Sequence, residues 1–166
     1  LTAHRRENWG EPMKGIFAAV REMVARNEDV NVIFPMHKNP LIRELATEGF
    51  RGIEDKVHLI EPLEYVDFAN LMAKCYLIMT DSGGIQEEAP ALGKPVMVLR
   101  TETERPEAIE AGTVKLAGIN KDDIFNIANE LINDKEAYEK MAHAANPYGD
   151  GKACERIVNN IIEYFK

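Results

Sequence analysis

Cysteine is scarce in this sequence: Cys75 and Cys154 are the only two in 166 residues. Two thiols so far apart make neither a disulfide framework nor a Cys-rich zinc site, and both are expected to be small buried hydrophobes in a reducing compartment. The four histidines, His4, His37, His58 and His143, lack the spacing of a helical metal motif, so no metal is expected. No apolar run approaches the roughly 18–20 residues of a membrane span, and no signal-peptide pattern is present. Positive charge is outnumbered, with 20 Lys and Arg against 28 Asp and Glu and a net charge of −8. Such a chain lacks the basic face used for broad nucleic-acid binding, although a few local cations can still hold a small anion. Internal repeats and low-complexity tracts are absent. So is the GxGxxG of nicotinamide-binding sites.

What remains is the composition of an ordinary globular domain, 45% hydrophobic and 29% charged, long enough to bury a core. The opening Leu1-Thr2-Ala3-His4-Arg5-Arg6 reads as a chain entered partway. Met13, Ile16, Phe17, Val20, Met23 and Val24 recur at helical spacing and predict a helix over about 11–27. Val30 to Phe34 reads as a buried strand closed by Pro35, followed by a helix over about 40–47 that Gly49 should stop. Strands are predicted at 57–60, 76–79, 95–99 and 113–116, with a first one at Leu1–Ala3. Helices are predicted at 65–74 and 85–92, through Ile124–Ile132, and again after the Pro147–Gly151 linker. Wholly apolar strands alternating with helices imply a parallel sheet covered on both faces, a doubly wound α/β domain. In that architecture ligands bind beyond the carboxyl ends of the strands.

The unusual residues fall in those loops. Asp81-Ser82-Gly83-Gly84-Ile85-Gln86-Glu87-Glu88 follows an apolar strand. Two glycines admit close approach, and the free N–H groups of a new helix favour a diphosphate. Ser82 adds a hydroxyl, and Glu88 can face the same end, where a carboxylate suits a ribose diol. A tight turn capped by Ser or Asp is the bland alternative. His4-Arg5-Arg6-Glu7-Asn8 offers donors for phosphate oxygens and a group able to move a proton. Arg105, in the loop after the fourth strand, should face the same crevice as Ser82, while Pro106 suits a first helical turn. Phe68 lies off its helix's apolar register, where it could meet a flat base or simply pack. His37 follows a strand and is more simply a surface histidine. Together the loops suggest a phosphorylated ligand. No nucleophile–base set completes a reaction within the chain.

Four blocks, His4–Asn8, Asp81–Glu88, Thr103–Glu107 and Asn146–Gly151, taken in this order, resemble the non-hydrolysing UDP-N-acetylglucosamine 2-epimerases. The resemblance implies the Rossmann-like carboxyl-terminal domain of a two-domain glycosyltransferase-B-type fold, spanning 1–166. Residues 152–166 would form a terminal helix that either crosses to an absent amino-terminal domain or packs on its own sheet. It further implies interconversion of UDP-GlcNAc and UDP-ManNAc by elimination and re-addition of UDP, without a cofactor. Ser82, Gly83 and Gly84 would hold the diphosphate, Glu88 the ribose, Phe68 the uracil, and Arg105 the phosphate charge. His4 would sit at the sugar–phosphate junction as the catalytic residue. Arg5 and His37 would touch a second, allosteric nucleotide-sugar. The expected partners are UDP, a UDP-N-acetylhexosamine, the absent domain and a second copy, in the cytoplasm, with no nucleic acid and no membrane. Alone, the chain is expected to bind UDP weakly and turn over little. A glycosyltransferase of the same fold, a hydrolysing epimerase and a non-catalytic nucleotide-binding module are the competing readings.

Overall fold

The structure is a computed structural model that describes residues 1–165. Five short strands pair in parallel: β1 (Val32–Pro35) with β2 (Val57–Ile60), and β3 (Ile78–Thr80) with β4 (Val96–Val98) and β4 with β5 (Val114–Leu116). The predicted first strand shrinks to one bridging residue, Thr2 opposite Thr80. That residue still joins the two ladders. Leu1 N donates to Ile33 O at 2.9 Å, Thr2 N to Met79 O at 2.9 Å, and Asp81 N to Thr2 O at 3.2 Å. The spatial order is therefore β2, β1, leading segment, β3, β4, β5. The order reverses between the leading segment and β3, where such sheets bind their ligands.

Both faces of this sheet are covered. One core joins Met13, Ile16, Phe17 and Val20 of α1 (Glu11–Arg26) to Phe34, Phe50, Ile124 and Leu131. There α1 packs against α2 (Pro40–Gly49) and α6 (Lys121–Asn133). Phe17, Phe34 and Phe50 meet with ring centroids 4.7–6.3 Å apart. A second core joins Met72 of α3 (Tyr65–Lys74), Ile85 and Ala89 of α4 (Gly83–Ala91) and Ala108 of α5 (Pro106–Ala111) to the opposite face. The strands show the division residue by residue: Ile78, Val96 and Val98 enter the second core, while Met79, Met97 and Leu99 enter the first. Alternation between two buried faces is why these runs are apolar throughout.

Several local expectations are corrected. Pro35 is the last residue of β1, since its missing N–H is tolerated at a strand end. α2 ends at Gly49 as expected, but with ordinary helical backbone and not a left-handed cap, and an added Cβ would stand 3.0 Å from Phe17 Cδ2. A second helix, α7 (Lys135–Ala142), follows α6, its start capped by Asp134 accepting from Glu136 N and Ala137 N. Cys75 is half-buried, but Cys154 is exposed, because α8 (Ala153–Tyr164) buries none of its residues. The option that α8 packs on its own sheet is thereby overturned; Ile157, Val158, Ile161 and Ile162 are each at least half exposed. Gly49→Ala is expected to destabilise the chain by about 1–3 kcal/mol, because overpacking against Phe17 outweighs the gain in helix propensity. Urea unfolding of the variant checks it.

Candidate functional site

The loop after the leading segment and the loop after β3 meet at the reversal in strand order, and one side chain ties them. Asp81, fully buried, accepts from His4 N and Arg5 N at 2.8 Å each and from Asn8 Nδ2 at 3.2 Å, all at Oδ2. Its backbone oxygen accepts from Arg5 Nε at 3.2 Å. Asn8, itself buried, also reaches Leu99 O at 3.0 Å, so three strand ends share one network. His4 Nδ1 stands 3.3 Å from Asp81 Oδ1, and Trp9 Nε1 donates to His4 O.

The start of α4 is open. Ser82 occupies the N-cap position with no capping bond from its side chain, and Asp81 is turned away to the other loop. The bland alternative of a Ser or Asp cap is therefore set aside. Gly83 and Gly84 have ordinary helical backbone, and a Cβ at either would meet nothing closer than 3.7 Å. Neither glycine is needed for a turn or for packing. Free amide N–H groups, the positive end of the helix and Arg5 Nη2 3.7 Å from a Gly83 Cβ position together favour an anion. Glu88 reaches back toward the same end, its Oε1 3.9 Å from where a Gly84 Cβ would lie.

A cleft of about 350 Å³ opens beside this point, lined by His4, His37, Lys38, Leu63, Phe68 and Ile85 among others. Phe68 is half-buried, set between the second core and the cleft. His37 is exposed, with its ring stacked on His4 at 5.7 Å and 13° and its Nδ1 accepting from Asn39 N. Arg105 is already paired within the chain. It precedes α5 and gives its Nε to Glu87 at 2.5 Å and its Nη1 to Glu104 O, so its charge already has a protein partner. That hydrogen bond to Glu87 also raises the pKa of the guanidinium.

Spacing arguments overlooked the scaffold beneath these groups. Buried Gln86 donates to Ser82 O and accepts from Thr103 Oγ1 at 2.6 Å, fastening the loop after β4 to the start of α4. Buried Arg100 bridges Glu7 at 2.7 Å and Glu104 at 2.6 Å, and its hydrogen bond holds the Glu104 carboxyl down at about 2. Polar residues on apolar elements were the available signal for Asp81 and Gln86. Tyr148, from the Asn146–Gly151 block, packs against the second core, and burial raises its phenol pKa.

The profile of one protein family, UDP-N-acetylglucosamine 2-epimerase, matches residues 1–162. The chain belongs to that family. A Bacillus subtilis UDP-N-acetylglucosamine 2-epimerase is 56% identical over 165 residues, covering 99% of this chain and 43% of the relative. Among solved structures, an S. aureus MnaA–UDP co-structure is similar with a TM-score of 0.92 and 55% identity, over 99% of this chain and 45% of that one. The Neisseria meningitidis UDP-GlcNAc 2-epimerase bound to UDP-GlcNAc has a TM-score of 0.90 and 48% identity, over 98% and 43%. The chain thus spans less than half the length of these 2-epimerase relatives and shares the fold of that part. No helix among the described residues is long and apolar enough to cross a membrane.

Proposed function

We propose that this chain is the nucleotide-binding half of an isomerase that interconverts UDP-GlcNAc and UDP-ManNAc. The single observation that carries the reading is the open, uncapped start of α4 beside His4 and Arg5, at the reversal in strand order of a 2-epimerase fold. The amide N–H groups of Gly83 and Gly84 with the Ser82 hydroxyl hold the diphosphate, and Glu88 accepts from the ribose hydroxyls. Phe68 lies against the uracil. His4 meets the oxygen that joins sugar to phosphate. Arg105 reaches the phosphates by exchanging Glu87 for the ligand, a swap between two partners on one exposed edge that costs little. Arg5 and His37 serve a second nucleotide-sugar.

In the reaction a base removes the C2 proton while the C1–O bond breaks, and UDP departs with the bonding electrons. UDP then returns to C1 of the resulting 2-acetamidoglucal as a proton reaches C2 on the other face. The charge that grows on the departing diphosphate is what this half stabilises, so gripping UDP is part of catalysis. The acids and bases at the ring belong to an amino-terminal domain such as the longer relatives have room for, and α8, with its unpacked apolar face, crosses to it. A cytoplasmic homodimer fits the same reading.

Titration calorimetry of residues 1–166 with UDP tests the assignment. Weak binding is expected, reduced a further ~5–10-fold in Glu88→Ala and in Arg105→Ala, about 1–1.4 kcal/mol each, the scale of an ordinary net hydrogen bond at a solvent-accessible site. Unchanged affinity in both variants counts against the site. Product analysis of the full-length protein, with UDP-ManNAc formed from UDP-GlcNAc and no acceptor present, separates an epimerase from a glycosyltransferase. Release of free ManNAc would identify a hydrolysing enzyme.

A further inference from the structure

We infer that Asp81 is the positioning residue of His4: it selects which ring nitrogen of the histidine carries the proton and presents the lone pair of the other to the cleft where the nucleotide-sugar is proposed to lie. The inference deepens the epimerase reading and rests on it for its catalytic part.

The two carboxylate oxygens of Asp81 are used unequally. Oδ2 is saturated by three donors, His4 N, Arg5 N and Asn8 Nδ2. Oδ1 is buried with no hydrogen-bond partner, and His4 Nδ1 stands 3.3 Å away. A buried carboxylate oxygen without a donor is costly, so the ring gains by turning Nδ1–H onto it. Little else in His4 can move to satisfy that oxygen, since the residue is pinned at its amide by Asp81 and at its carbonyl by Trp9. His37 stacks on one ring face and confines the rotation.

Once Nδ1 is committed to Asp81, the Nε2 edge is left to the cleft that His4 lines. With its proton on Nδ1, the neutral ring presents the Nε2 lone pair to the cleft, so His4 can accept a hydrogen bond or a proton there. Fixing the tautomer in advance spares the reaction that reorganisation.

Asparagine is the discriminating substitution. In Asp81→Asn the amide oxygen can keep the three donors at the Oδ2 position, while the NH2 group faces His4 Nδ1 and forces the ring proton to Nε2. Nitrogen-15 NMR of histidine-labelled protein at pH 8.5 reads this directly, without nucleotide. The expected result is a neutral His4 ring protonated at Nδ1 in the natural protein and at Nε2 in Asp81→Asn. In the full-length enzyme kcat should fall by about 100-fold or more with KM within about twofold, since a wrong tautomer costs up to ~10⁴ in a comparable dyad. A natural protein protonated at Nε2, or a tautomer that the substitution leaves unchanged, overturns the inference. A switched tautomer with unchanged kcat overturns its catalytic part. If Asp81→Asn does not fold, the spectrum of the natural protein alone decides. Full-length protein that forms no UDP-ManNAc while the tautomer still switches would sink the epimerase reading and leave the Asp81–His4 pairing in place.

Discussion

Asp81→Ala is expected to lower the thermal midpoint of the chain by about 6–12 °C, the equivalent of about 3 kcal/mol in a domain of this size. The variant strands three donors at once, His4 N, Arg5 N and Asn8 Nδ2, in a place where Asp81 and Asn8 are both shielded from water. Relief from desolvating a carboxylate offsets part of the loss, which is why the expected figure stays below the sum for three orphaned groups. Calorimetric or circular-dichroism melting checks the value. A midpoint within about 2 °C of the natural protein, under 1 kcal/mol on the same scale, would mean that water replaces the carboxylate without cost and that the network does not hold the loop.

Gly84→Leu is expected to do the opposite to stability while removing nucleotide binding. Gly84 is exposed in the first turn of α4, has helical backbone, and its added Cβ would find nothing nearer than Glu88 Oε1 at 3.9 Å. Leucine is the better helix former by up to about 0.8 kcal/mol, so the midpoint should hold or rise slightly. The same side chain fills the space through which a diphosphate must approach the N–H groups, and UDP affinity should fall by more than ~10-fold, a cost above 1.4 kcal/mol. Melting and UDP titration of the one variant give both readouts. Natural affinity in a well-folded Gly84→Leu protein would show that the nucleotide lies elsewhere.

The two substitutions divide the roles of neighbouring residues. Asp81 ties the loops together and, on the proposed reading, acts through His4; Gly84 is dispensable to the fold. Such a split explains why the loop carries glycines whose backbone angles any residue could adopt. On the proposed reading their smallness leaves room for the nucleotide.

Much of the architecture was legible from local pattern. The bounds of β2 at Val57–Ile60 and α3 at Tyr65–Lys74 coincide with the predicted ones, because apolar spacing within a few residues encodes them. Gly49 does end α2, but what its lack of a side chain serves was not legible: it makes room for Phe17, a residue of another helix. Helix α7 was missed because Asn133 and Asp134 broke the periodicity, although Asp134 is its cap.

At the site, Ser82, Gly83 and Gly84 could be singled out by composition and position alone. The partners of Asp81 could not, because they lie 73–77 residues away and only the sheet order brings them within reach. The pairing of Arg105 with Glu87 is of the same kind, since it depends on how α5 starts beside α4. Charge counts carry no information about which carboxylate a guanidinium meets.

By itself, then, the order of residues determined the alternation of strands and helices, the two-sided burial of the sheet and the four blocks that mark the family, all properties set by neighbours along the chain. Only the tertiary structure decided which buried carboxylate holds His4, that Arg105 already has a partner, and that α8 buries none of its residues. Those outcomes depend on which strand ends lie side by side, and hydrogen bonds across that distance leave no periodic trace in sequence.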